Sequence, residues 1–301
     1  MIKSPEMPPI IVLGVERSGT SVVAEMVHRW GADAGDPKKL HEADVHAPKG
    51  YWEYLPLWDL LAELGEFESG GTWWDPTFQQ RMKDKASDPT YRTKALELMA
   101  GMPTDGRPWF WKDPALSHFL PFWDPIWGEA TYIVTVRNPL DTALSWQKLV
   151  MPDALEGLVS FVAMNLIRWQ HMMRQILQHT DDTPHKLFVA YEDVVRDPQV
   201  QAERLCEFLN SRFDNRGRVQ EMIQAVDRTL WRNDNKIPFD QSAEATAQQK
   251  ALYSFALRKI DNPFEPFDQT RYPMPPGAFE FLNIQEALLK ASRNSEESTN
   301  T

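Results

Sequence analysis

Residues 8–30, PPIIVLGVERSGTSVVAEMVHRW, constrain this chain more than any other stretch. Ile10 to Leu13 is a short run of β-branched and apolar residues, the pattern of a parallel strand buried on both faces. The run ends at Gly14, and Gly19 opens a helix whose Val22, Val23, Met26, Val27 and Trp30 share one face. Strand, glycine turn and helix make an anion cradle, because the first amides of a helix lack partners within it and point outward along its dipole. Gly14 and Gly19 have the glycine spacing of a GxxxxGK[ST] loop, but Thr20 stands where the lysine would. Such a loop suits phosphate while lacking the side chain that reaches the outer phosphates of a nucleoside triphosphate. Arg17, inside the loop, is the replacement cation.

Residues 131–138, TYIVTVRN, read as a second strand, with Pro139 at a first helical position and LDTALSWQKL as the helix that follows. An ordinary nucleotide hydrolase would end such a strand in a magnesium-binding aspartate. Here it ends in Arg137, and Ser145 follows eight positions later. A cation at the strand end and a hydroxyl on the next helix suit a second phosphate rather than a metal.

These residues resemble a known family. GVERSGTS (Gly14, Glu16, Arg17, Ser18, Gly19, Thr20 and Ser21 among them) with RNPLDTALS, from Arg137 to Ser145, is similar to the sulfotransferases that use 3′-phosphoadenylyl sulfate, PAPS. WKDPALSHFLPFW and LFVAYEDVVRDP resemble two further segments of that family, in its order, so that the likeness spans about residues 10–210. The resemblance implies that the first loop holds the 5′-phosphosulfate, that Arg137 and Ser145 hold the 3′-phosphate, and that Tyr191 contacts the cofactor. It also places Lys112 of the KDP segment at the bridging oxygen, as in the tyrosyl-protein branch, where charge develops during transfer. The histidine pattern of the cytosolic branch is missing, since Pro114 stands near its place, and His118 reads as a packed or capping residue. The general base is therefore sought among carboxylates. PKGYWE resembles a branch with a glutamate after the first helix, which favours Glu53, with Glu42 and His41 behind it. In the family a C-terminal loop covers the nucleotide with basic residues; Arg228, Arg232 and Lys236 are the candidates here, without an RKG-type motif.

The remaining sequence bounds this reading. The 301 residues carry 42% hydrophobic and 25% charged side chains, an ordinary globular composition. No apolar run approaches the length of a membrane span, and MIKSPEMPP lacks a signal peptide's apolar core. Cys206 is the single cysteine, which suits a reducing cytoplasm. A net charge of −11 disfavours nucleic-acid binding and leaves an anionic cofactor to local amides and a few cations. Residues 31–54 are polar, rich in glycine and proline, and read mostly as loop. Their His41, Glu42, Asp44, His46 and Glu53 show no recurring ligand spacing, so no metal is expected.

Helices are expected at 56–67, over 78–101 with a break near Pro89, and at 154–178, 199–209, 248–259 and 279–291. Trp73 and Trp74, between glycines and Pro76, form either an acceptor-binding wall or lid packing. Strands at about 10–15, 109–112, 131–136 and 187–190 predict an α/β fold: a mainly parallel sheet with helices on both faces and helical insertions. One domain over 1–291 is expected, with 31–101 and 210–291 shaping an acceptor pocket and a polar, disordered tail at 292–301. The function expected is in-line transfer of the sulfuryl group from PAPS to a hydroxyl of a small-molecule, carbohydrate or lipid acceptor. A metal-dependent small-molecule kinase on the same loop and a non-catalytic nucleotide-binding module are the alternatives.

Overall fold

Side-chain alternation along the first strand, β1 (Ile10–Gly14), sets the layering. Ile11 and Leu13 enter one hydrophobic cluster, Ile10 and Val12 another, and all four are fully buried. A strand with both faces covered by apolar packing belongs inside a sheet flanked by helices. The computed structural model describes residues 7–45, 47–103, 106–150, 161–214, 217–231 and 238–299. In it, β1 is joined by β2 (Phe110–Lys112), β3 (Thr131–Val136) and β4 (Lys186–Ala190) in the order β2-β1-β3-β4, every neighbouring pair parallel.

The helices are, in chain order, α1 (Thr20–Trp30), α2 (Leu55–Gly65), α3 (Phe78–Ser87), α4 (Pro89–Ala100), α5 (Leu116–Trp127), α6 (Pro139–Val150), α7 (Phe161–His179), α8 (Tyr191–Arg196), α9 (Pro198–Arg212), α10 (Val219–Ile223), α11 (Ala247–Asp261) and α12 (Ala278–Thr299). Apolar residues of α2, α3, α4, α5, α7 and α11 cover the face of Ile11 and Leu13, while α1, α9 and α10 cover that of Ile10 and Val12. Both α4 and α6 begin as their prolines predict: Pro89 follows the Asp88 side chain, which caps α4, and Pro139 is the first residue of α6.

Strand register positions the site. Val12 lies level with Lys112 and Ile133, Gly14 with Thr135, and Val136 with Ala190. The loop after β1, Lys112, Arg137 and Tyr191 therefore leave the sheet along the same carboxyl edge, where open parallel sheets bind ligands.

Three element boundaries compare with the sequence reading as follows. The first strand ends at Gly14, where a Cβ would lie 2.1 Å from Thr135 Oγ1, so that glycine lets β1 and β3 close on each other. The helix expected over 154–178 is described as α7, its first predicted turns lying in 151–160, outside the described residues. At the other end, α12 continues past residue 291 into the stretch that composition predicts to be disordered, and no glycine or proline interrupts it.

Candidate active site

The loop after β1 is a tight turn with two left-handed positions, one of them a glycine. Arg17 has a φ of 66° and Gly19 one of 91°, so the chain passes twice through the left-handed region before α1 starts. A Cβ on Gly19 would stand 2.1 Å from the Tyr191 ring, so glycine here also lets that ring close on the loop. Ser18 turns inward and bonds Thr135 Oγ1 at 2.8 Å, tying the loop to β3. No side chain caps the start of α1, which leaves its first amides available to an anion.

The two phosphate-type motifs meet at this loop. Arg137 Nη1 donates to the Arg17 carbonyl at 2.8 Å, and its guanidinium lies 4.4 Å from the Tyr191 ring centroid. Arg17 Nε donates to Ser145 Oγ at 3.1 Å. Residues 120 or more positions apart thus form one cationic cluster, with hydroxyls and helix amides around it.

Next to it, Lys112 at the end of β2 donates to Glu53 Oε1 at 2.5 Å. The lysine side chain is 1% exposed and the glutamate 25%, so the charge of Lys112 is compensated inside the protein while Glu53 keeps a path to solvent. Glu53 follows Trp52, whose φ of 61° is strained for an aromatic residue; its ring is held against His28 at 4.6 Å. Asp113 is buried and accepts from the Ala115 amide at 2.8 Å. Burial, reinforced by the nearby Glu53 carboxylate, pushes the Asp113 carboxyl up to about 7.

These groups line one cavity of about 550 Å³, into which Glu16, Arg17, Lys112, Arg137, Ser145 and Tyr191 all face. Gly19, Thr20, Ser21 and Glu53 line it too, whereas Gly14 and Ser18 stand behind it as supports. It is also lined by the two segments expected to shape an acceptor pocket: Tyr51, Trp58 and Trp73 from one, Glu286, Leu289 and Lys290 from the other. The tryptophan pair divides its work. Trp73 is a wall of the cavity, and Trp74, 1% exposed, is packing beneath it.

The other sequence candidates lie elsewhere. His41 packs at a tilt against the Tyr51 ring at 4.4 Å, and neither it nor Glu42 lines the cavity. His118 is fully buried and stacks on Trp73 at 5.0 Å, a packed histidine rather than a base. Arg228 donates to the carbonyls of Val195 and Arg196, capping the end of α8. Arg232 and Lys236 lie outside the described residues. Sequence reasoning missed Arg168, which lines the cavity from α7 and pairs with Glu16 at 2.5 Å. Its only signal is an arginine beside the apolar stripe of a core helix.

A sequence profile of the sulfotransferase family matches residues 8–215. No curated protein matches the chain. Among solved structures, the sulfotransferase domain from the curacin biosynthetic pathway is similar at 17% identity, covering 90% of this chain and 100% of that domain with a TM-score of 0.48. A sulfotransferase from Mycobacterium avium is similar at 16% identity, covering 86% of this chain and 77% of its own, with a TM-score of 0.47. Retinol dehydratase in a complex with retinol and PAP is similar at 15% identity, covering 89% and 84%, with a TM-score of 0.40.

Proposed function

The chain belongs to the sulfotransferase family, and from that premise we propose that it moves the sulfuryl group of PAPS to an acceptor hydroxyl by in-line displacement. The observation that carries this reading is the convergence of Arg17, Arg137 and Ser145 on a loop whose following helix starts without a side-chain cap. Two anionic groups of one nucleotide fit this donor set: the amides of the loop and α1 take the 5′ side, and Arg137 with Ser145 takes the 3′-phosphate.

Chemistry belongs to the Lys112–Glu53 pair. Glu53 accepts the proton of the acceptor hydroxyl as its oxygen bonds to sulfur. The bond from sulfur to the bridging oxygen breaks, and its electron pair leaves on the phosphate. Lys112 and Arg17 stabilise that charge, and adenosine 3′,5′-bisphosphate is released with the sulfate ester. Before the donor arrives the two partners hold each other at 2.5 Å. Lys112 then turns to the leaving oxygen, which frees Glu53 for the acceptor. Trp58 and Trp73 support an acceptor with an apolar or sugar face, within the small-molecule, carbohydrate or lipid classes.

Calorimetric titration with adenosine 3′,5′-bisphosphate, and separately with magnesium and ATP, tests the donor. The bisphosphate binds, and Arg137→Ala weakens it by about 1.5–3 kcal/mol, the size of a charge-assisted contact. Binding of magnesium and ATP in its place would put a kinase first.

A further inference from the structure

Glu16 contradicts the loop that contains it. The amides and cations around it suit an anion, yet its carboxylate lines the same cavity. Left uncompensated there, it would repel the donor. Arg168 answers that charge. Its Nη2 lies 2.5 Å from Glu16 Oε1 and its Nε 3.4 Å from Oε2, the two-point match of a guanidinium to a carboxylate. The residue is 5% exposed, and its guanidinium is held between two indoles, 4.5 Å from the Trp146 ring and 5.0 Å from Trp74.

Each of these contacts reaches a different part of the site. Glu16 belongs to the donor loop, Trp146 follows the Ser145 hydroxyl, and Trp74 adjoins the Trp73 wall. We propose that Arg168 is a positioning residue for the donor loop: it cancels the Glu16 carboxylate and, clamped between Trp74 and Trp146, fixes that loop against the acceptor wall. The inference rests on the donor reading above. A lysine would not reproduce it, because the fork and the stacking plane both need the guanidinium. Nor would Arg168 matter in this way if Glu16 were neutral.

That dependence supplies the test. Wild type, Arg168→Met, Glu16→Gln and the double variant are titrated calorimetrically with adenosine 3′,5′-bisphosphate, and their folding is followed by thermal melts. Arg168→Met keeps an unbranched side chain between the indoles but strands the carboxylate, and affinity falls by about tenfold or more. Glu16→Gln alone sets the reference affinity for a loop without the carboxylate, and adding it to Arg168→Met brings affinity back to within about threefold of that reference. A smaller loss in Arg168→Met, or recovery of less than half of it on a logarithmic scale, overturns the proposal and assigns Arg168 to packing alone. If Arg168→Met does not fold, the double variant decides: it must fold and bind within about threefold of Glu16→Gln, or the proposal fails. A wild-type protein that binds no bisphosphate fails the donor reading and this inference together, whereas failed rescue in a binding protein fails only this inference.

Discussion

At the scale of single residues, Glu53 is where the chemical proposal is most exposed. A carboxylate general base typically supplies a factor of 10²–10⁴, so Glu53→Gln lowers kcat by about 100-fold or more. Bisphosphate affinity changes little, because the substitution leaves Arg17, Arg137 and Ser145 untouched. Activity surviving within about tenfold, roughly 1.4 kcal/mol of barrier, would move the base elsewhere. Glu53 was legible only as a family position. What the sequence could not display is its geometry: a left-handed Trp52 and a buried lysine aim it. Arg17, Arg137 and Ser145 were readable because strand ends and helix starts are fixed by local pattern. Arg168 was not, because its meaning comes from Glu16, 152 positions away, and from two indoles that only the fold assembles.

At the scale of elements, the four strands were legible for a physical reason. A parallel strand covered on both faces must be a short apolar run, and here Lys112, Arg137 and Tyr191, at or just after the ends of three of the runs, line the cavity. The packing between helices was less so. His118 on α5 and His171 on α7 stack at 5.6 Å, both buried, with no hydrogen-bond partner among the described residues on any of the four ring nitrogens. Burial, with His171 and Arg168 nearby, holds His118 well below its ordinary value. Burial, with Arg174 and Arg168 nearby, pushes His171 down to about 3. Both rings are thus neutral in the fold, while in the unfolded chain they protonate near pH 6.5. The unfolded state then binds more protons below that pH, so this stabilisation is complete above about pH 6.5 and is lost as pH falls. Between pH 6.5 and 5.5 each ring loses about 1 kcal/mol, so together they lower the melting temperature by roughly 3 °C over that unit of acidification. Melts of wild type and the His118→Phe/His171→Phe variant at pH 6.5 and 5.5 isolate this share, since other acid-sensitive groups are common to both. Equal drops in the two proteins would remove the histidine pair from the account.

At the scale of the whole molecule, one cavity gathers side chains from Glu16 in the first loop to Lys290 in the last helix. Intervening contributions come from α2, β2, α6, α7 and α8, so the site is built by nearly the full chain. That distribution argues for one cooperative unit rather than a donor domain with a separable acceptor domain. It also answers the net charge of −11: the proposed anionic donor meets a local cationic cluster assembled through the fold, which an unfolded chain does not possess. Binding therefore stabilises the native state alone. Adenosine 3′,5′-bisphosphate at a hundred times its dissociation constant adds about 2.7 kcal/mol, which for a chain of this length raises the melting temperature by roughly 4 °C. Differential scanning calorimetry should show a single transition that moves as a whole, because residues 16 to 290 share the ligand's cavity. A second transition that stays in place when the first moves would separate an acceptor unit from the donor unit, and with it the premise that both substrates meet in one domain.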